Sequence, residues 1–189
     1  MQITQEQDKA ASAIVELIAN SVGENRAIHP ATAIAAGARL AGSFMFRSFN
    51  LKLSNATPGS AVLSEEANQK GPELINLLAA ALSNFGVNMD GVKMDSISNA
   101  EPNLSFLDTV GRLQDPARQI MTENNLTEEQ MAYACAIATA FIIKECQKDL
   151  PVESGFHTAI YSFIEGSKTY PPDYGALKPK KKSIFKFWK

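Results

Sequence analysis

Four polar residues share one narrow face of a helix that the sequence predicts from about residue 29 to residue 50. At 100° per residue they fall on the same side, and the two arginines lie roughly 12 Å apart along the helix axis. Guanidinium groups bind phosphate and carboxylate strongly, and nearby hydroxyls can donate further hydrogen bonds. This face is therefore a candidate site for a small anion, although arginines paired with the protein's own acids, or simply solvated, give the same pattern. The residues are Thr32, Arg39, Ser43 and Arg47.

Histidine offers one further possibility, on the last predicted helix of the domain. His157 lies four residues after Glu153 and four before Tyr161. The spacing would suit half of a metal site or an acid–base pair, but a zinc site needs three or four protein ligands. We therefore expect the solvated face of a helix with favourable side-chain pairs, and we predict neither a metal nor a cofactor.

Motifs for nucleophilic or phosphate chemistry are not recognisable. "GARLAG" lacks the Lys-Ser/Thr of a phosphate loop, there is no G-x-S-x-G sequence, and "NMDGVKMD" lacks the regular ligand spacing of a calcium loop. Cys135 lies in an apolar helix, where a thiol is usually inert. Cys146 lies roughly 16 Å further along the same helix, so the two cannot form a disulfide. The sequence favours a protein that is not an enzyme.

The least ordinary composition is that of residues 178–189, "KPKKKSIFKFWK". This segment has six lysines and no acid, a formal charge of +6, whereas residues 1–177 carry twelve Lys and Arg against twenty Asp and Glu, a formal charge of −8. As a helix it would separate aromatic from basic side chains, which is typical of an interfacial helix. The predicted docking residues are Lys180, Lys181, Lys182, Phe185, Lys186, Phe187 and Trp188.

Several surfaces could hold such a tail. An anionic membrane would contribute about 1 kcal/mol per lysine. A partner protein, the acidic body of this chain or a second copy are alternatives, as are a nuclear signal in "KPKKK" and a solubilising end with no specific role. Nucleic acid is not expected as a partner, because the acidic body would repel phosphate. "MQITQEQDKAAS" has no apolar signal region, so we expect a cytoplasmic location, with the inner face of a membrane as the alternative.

The elements that must position these groups are all predicted to be helices. Thr4 with Gln7, and Thr127 with Gln130, form capping-box patterns that open two of them. Residues 130–143 carry no charge and are apolar on every side, yet they are too short to cross a bilayer, which indicates a core helix. Stripes of Ala and Gly over residues 30–42 predict a central helix that closely approaches at least two others.

We therefore predict an all-α fold, a single-domain orthogonal or irregular bundle of six to seven helices with central helices rich in Ala and Gly. The predicted divisions are a helical domain over residues 1–169, a Pro-rich linker over 170–179 and the basic-aromatic tail over 180–189. Pro72 is expected to open one helix after a short separate one at 60–70. A break or a kink near Gln114 is expected to divide a further helix from one that Pro116 can restart.

Taken together, these features favour a non-enzymatic cytoplasmic protein that binds a protein partner, of adaptor, chaperone-like or toxin-neutralising type, with the tail docking or tethering it. Self-association is a related expectation. The alternatives are a peripheral membrane protein, and an enzyme or small-anion-binding protein with a site around Arg39 and Arg47. A helical fold does not distinguish these functions, because the same architecture carries many of them.

Overall fold

The computed structural model describes residues 3–23, 28–90, 92 and 100–176, and this part of the chain forms six α-helices. No strand occurs among these residues, which contain one isolated antiparallel bridge between Ala61 and Thr169. The predicted all-α bundle is therefore confirmed. The helices are α1 (Gln5–Val22), α2 (Pro30–Ser48), α3 (Glu65–Asn84), α4 (Phe106–Glu123), α5 (Glu128–Cys146) and α6 (Val152–Ser167).

Capping boxes open α1 and α5, as the sequence predicts. The Thr4 hydroxyl accepts a hydrogen bond from the Gln7 N–H, and the Gln7 amide oxygen accepts one from the Thr4 N–H. Thr127 and Gln130 make the same reciprocal pair. The Gln7 side chain also donates to the Gln130 carbonyl at 3.3 Å. The two helices therefore begin side by side, and side-chain caps satisfy backbone N–H groups at each start.

Small residues make α2 the centre of the bundle, where it packs between α5 and α6. A Cβ atom added at Gly42 would lie 2.6 Å from the Phe163 carbonyl oxygen, and one added at Gly166 would lie 2.6 Å from the Arg39 carbonyl oxygen. The backbones of α2 and α6 are thus in direct contact, which only glycine at both positions allows. The α5 side is also close, since a Cβ at Gly37 would lie 2.6 Å from the Thr139 hydroxyl.

A charged cluster joins α3 to α5 at the bundle surface. The Tyr133 hydroxyl lies 2.7 Å from a Glu73 carboxylate oxygen and 2.9 Å from one of Glu129. Lys70 pairs with the same two acids, at 3.2 and 2.9 Å. Hydrogen bonds from Lys70 and Tyr133 lower the pKa of Glu129 below its usual range. The ionised carboxylate therefore stabilises the contact between the two helices.

Two helices are longer than predicted, because each continues through a proline that was expected to mark a helix boundary. α3 begins at Glu65, with Ser64 as its N-cap, and continues through Pro72, so the expected separate helix at 60–70 is wrong. α4 continues through Pro116, so a break near Gln114 is also wrong, whereas a kink there stays a prediction. Both prolines lie on exposed faces, as do the residues four positions earlier. A carbonyl that loses its helical partner there can bind water, which makes an interior proline tolerable.

Substituting Gly42 with alanine should destabilise the fold by about 1–3 kcal/mol or more, because the added methyl group meets backbone atoms that cannot rotate away. The control is Gly71→Ala in α3, where a Cβ meets nothing within 4 Å apart from its chain neighbours. That variant should change stability by less than about 1 kcal/mol, because the gain in helix propensity is opposed by contact of the new Cβ with the ring of Pro72. Urea unfolding followed by circular dichroism measures both, and equal effects from the two variants would contradict the close contact of α2 and α6.

Glu129→Gln should destabilise the protein at neutral pH by less than about 1 kcal/mol, because the ion pair is largely exposed. The folded-state pKa of Glu129 is lowered, so its contribution is present above the unfolded value of about 4.3 and is lost as the pH falls through the folded value. The difference between wild type and variant in unfolding free energy should therefore shrink in acid. Glu101→Gln, in an exposed loop, serves as the control; a difference for Glu129→Gln that stays constant with pH would refute the assignment.

Candidate functional site

Arg39 lies where α2 faces α6 and the start of α4, and only 6% of its surface is exposed. Its Nε donates to Glu165 at 2.6 Å, and its Nη1 donates to the Leu104 carbonyl at 2.5 Å and to the Thr109 hydroxyl at 3.2 Å. One guanidinium thus connects three segments of the bundle. Such charge-assisted hydrogen bonds are strong when the site is largely dry.

The two hydroxyl residues predicted beside Arg39 are also buried. The Thr32 hydroxyl accepts a hydrogen bond from the Asn103 N–H at 2.9 Å and lies 3.0 Å from the His29 Nδ1. Ser43 lies at the contact of α2 with α6, close to Gly166. A cavity of about 200 Å³ does open beside Arg39, but Thr32 and Ser43 do not line it.

Arg47 organises a different region, the Pro-rich stretch that follows α6. Its Nη2 donates to the Gln114 side chain at 2.9 Å and to the Pro172 carbonyl at 2.6 Å. The Arg47 and Arg118 guanidinium carbons lie 4.0 and 4.4 Å from the centroid of the Tyr174 ring. Cations over an aromatic face are attracted by its quadrupole. Arg47 therefore holds residues 170–176, which we call the strap, against the helices.

Further hydrogen bonds complete the attachment of the strap. The Tyr174 hydroxyl lies 3.1 Å from the carboxylate of Glu128, the first residue of α5, and the Gly175 N–H donates to Asp115 at 2.9 Å. Burial raises the pKa of Glu128, while the hydrogen bond from Tyr174 opposes this shift. The strap therefore contacts α2, α4 and α5, and it covers ionisable groups of the body.

The predicted anion-binding face does not converge on one cavity. Arg39 lines the cavity beside α6. Arg47 lines a separate cavity together with Glu128 of α5 and with Tyr170, which belongs to the strap. The hydrogen bonds described for both guanidinium groups go to protein acceptors. Anion binding by these residues stays a prediction, and the contacts themselves indicate a structural role.

A groove of about 510 Å³ lies between α1 and the end of α3, with α5 as its floor. We call it the α1/α5 groove. Its floor is apolar, since Ala138 is buried and Ile137 is only 9% exposed. The lining residues are Asp8, Ala11, Ser12, Val15, Glu16, Phe85, Ile137, Ala138 and Phe141.

Aromatic and acidic side chains border the α1/α5 groove on different sides. Phe85 and Phe141 pack edge to face, with ring centroids 5.8 Å apart, and each is 37% exposed. Asp8 and Glu16 are exposed on α1, roughly 12 Å apart by helical rise. Lys144 lies near the Phe141 ring, at 5.7 Å. The groove thus offers an apolar surface with an acidic edge, which suits a ligand with one apolar and one basic side.

Sequence reasoning missed this groove for a specific reason. A helix that is apolar on every side predicts complete burial, so the pattern of α5 gives no sign of the strip near Phe141 that the other described helices leave uncovered. The available signal lay in α1, where Asp8, Ser12 and Glu16 recur every four residues beside the apolar stripe.

His157 and the cysteines differ in how well they were predicted. His157 is 4% exposed, so the expected solvated face is wrong at this position. The chain that leads into α4 passes over α6 here, since the Ala100 N–H donates to the Thr158 hydroxyl at 3.1 Å. Burial raises the pKa of the Cys135 thiol. Burial is also the main cause of the raised pKa of the Cys146 thiol, and the negative charges of Asp149 and Glu145 add to it. Both thiols are therefore kept protonated and weakly nucleophilic.

Arg39→Met should cost about 2–3 kcal/mol of stability, because it removes charge-assisted hydrogen bonds from a buried site and leaves their acceptors unpaired. Glu165→Gln should cost less than about 1 kcal/mol, since Glu165 is partly exposed and the amide oxygen can still accept a hydrogen bond. Thermal and urea unfolding test both. An Arg39→Met protein as stable as wild type would argue against the structural role and favour a ligand site.

The described residues offer little chemistry beyond these contacts. They contain no group of three or more His, Cys, Asp or Glu side chains that could hold a metal ion. None of their helices is both long and apolar enough to cross a membrane. The seven predicted docking residues of the tail, from Lys180 to Trp188, lie outside the described part of the chain. Comparisons with protein-family models, curated proteins and solved structures give no match for this chain.

Proposed function

We propose that this protein binds a partner protein, and that it does so by accepting an amphipathic helix with basic and aromatic residues in the α1/α5 groove. The observation that carries the proposal is the pairing of an exposed aromatic wall with an acidic edge around one apolar floor. Amphipathic helices commonly dock into apolar grooves with a few large anchoring side chains. The protein acts in this proposal as a binding module rather than as an enzyme.

Apolar contact supports this mode of binding. Phe85 and Phe141 keep more than a third of their surface in water although they lie against a buried floor. Aromatic side chains at the centre of an interface contribute much of the binding energy once a partner excludes water from them. A partner helix that lies along α1 would bring its own large side chains against both rings.

Charge supports the choice of a basic partner. Asp8 and Glu16 lie on the α1 side of the groove, and residues 1–177 as a whole carry a formal charge of −8. Complementary charges accelerate association and fix register more than they raise affinity. The spacing of Asp8 and Glu16 corresponds to two helical turns, so we expect the partner to carry basic residues with about the same separation.

The proposal includes a cytoplasmic location, as expected from the sequence. Cys135 and Cys146 are both free thiols. Unpaired cysteines are typical of reducing compartments, where disulfides seldom persist.

A designed peptide tests the proposed function. A fluorescein-labelled helix of lysine, leucine and phenylalanine, without tryptophan, should bind the full chain, whereas a peptide with the same composition in scrambled order should bind more weakly. The double variant Asp8→Lys with Glu16→Lys should weaken binding about five- to tenfold, because each exposed charge pair contributes up to about 1 kcal/mol. Fluorescence anisotropy measures the affinity.

The matched control is Glu101→Lys, a charge reversal in the exposed loop before α4. It changes the net charge of the protein in the same direction without touching the groove, so it should leave the affinity nearly unchanged. The groove variant changes the net charge by four and the control by two. Equal binding of the ordered and scrambled peptides, or a loss of binding free energy in the groove variant no more than twice that in the control, would mean that binding is only a general attraction between charges.

A further inference from the structure

We infer that residues 178–189 of this same chain occupy the α1/α5 groove when no partner is bound, so that a partner must displace them. This inference rests on the proposed function, because it assigns a regulator to the same groove. The regulator is a segment with the chemistry that the groove is expected to bind. The composition of the segment, its reach and its attachment to the strap all support this assignment.

The composition of the segment matches the groove. It contains six lysines and four large apolar residues, Ile184, Phe185, Phe187 and Trp188. The apolar residues can cover the floor and the aromatic wall, while the lysines can reach the acidic edge. The charge of +6 has a nearby opposite charge in the body, whose formal charge is −8. Any outside surface must therefore compete with an acidic groove on the same molecule.

The strap places the start of this segment within reach of the groove. The Tyr174 hydroxyl contacts Glu128, at the beginning of α5, and Ile137 lies in the groove floor nine residues further along that helix. This is roughly 14 Å along the axis, and the two positions lie on opposite sides of the helix, about 17 Å apart around its surface, so a diagonal path is roughly 22 Å long. Residues 177–184 span up to roughly 26 Å when extended, and Pro179 favours an extended chain. Residues 185–188 can thus reach the groove while the strap stays in place.

Firm attachment makes even a weak contact effective. The strap is fixed by Arg47, Arg118, Asp115 and Glu128, so the segment that follows it leaves from a defined point on the body. A short tether gives an effective concentration in the millimolar range. A segment with only millimolar intrinsic affinity would therefore occupy the groove for a large part of the time. A partner helix with higher affinity would still displace it.

Tryptophan fluorescence tests this inference in the full chain, because Trp188 is the only tryptophan. At low protein concentration and low salt, we expect its emission to be shifted to the blue and its acrylamide quenching constant to be several-fold below that of a free peptide of residues 178–189. The double variant Asp8→Lys with Glu16→Lys should lose both effects. Glu101→Lys should keep them, and circular dichroism should show that all three proteins have the same helix content.

Displacement and release give a second readout. The designed tryptophan-free peptide should return Trp188 emission to that of the free segment as it binds. The variant Phe185→Ser with Phe187→Ser, which removes anchors from the segment and leaves the groove intact, should bind the designed peptide several-fold more tightly than wild type does. A displaced segment that competes with the peptide predicts both changes, whereas a segment without contact to the body predicts neither.

Other outcomes overturn the inference in distinguishable ways. One such outcome is that Trp188 is as exposed as in the free peptide, while the designed peptide still binds and the Asp8 and Glu16 reversals still weaken that binding. In that case the segment does not regulate the groove, and the proposed function stands. If neither occurs, both fail. If Trp188 is protected from acrylamide and the Asp8 and Glu16 reversals do not change that protection, the segment lies elsewhere on the body. Protection that appears only at high protein concentration indicates a second copy, and protection that appears only with anionic vesicles of phosphatidylserine indicates a membrane.

Discussion

The direct contact between the backbones of α2 and α6 at Gly42 and Gly166 determines the environment of Arg39 and Ser43 on α2. When two helices approach so closely, the side chains along their seam lose access to water. The buried Arg39 guanidinium therefore needs protein acceptors, and it donates hydrogen bonds to Glu165 and to the Leu104 carbonyl in the chain that enters α4. The polar face of α2 therefore forms internal connections, because buried polar groups need partners, and anion binding by this face stays a prediction.

Local sequence signals predicted local structure well. The capping boxes at Thr4 and Thr127 mark two helix starts, because their hydrogen bonds are made within three residues. The prolines at positions 72 and 116 misled for the opposite reason. Whether a proline breaks a helix depends on whether the freed carbonyl meets water or a packed neighbour, and that is decided by tertiary structure.

The candidate site was less predictable than the fold for the same physical reason. Thr32, Arg39, Ser43 and Arg47 do share a face of α2, as their spacing indicates, but the partners of the arginines lie more than sixty residues away in sequence. Among the described residues, the α1/α5 groove exists because α5 has helices packed on several sides and none of them covers the strip near Phe141. Such an uncovered strip is a property of the assembly of helices, and no single helix carries its signature.

The strap has a consequence for how the chain folds during synthesis. Arg39 and Arg47 belong to the second helix, yet the acceptors Glu165 and Pro172 follow them by 126 and 125 residues. While the chain is being translated, α2 can associate with its early neighbours, but its two cations lack these acceptors until nearly all of the described chain has emerged from the ribosome. The helical bundle therefore combines local helix formation with a late closing step, and a nascent chain halted before residue 172 would expose charged groups that the complete protein covers.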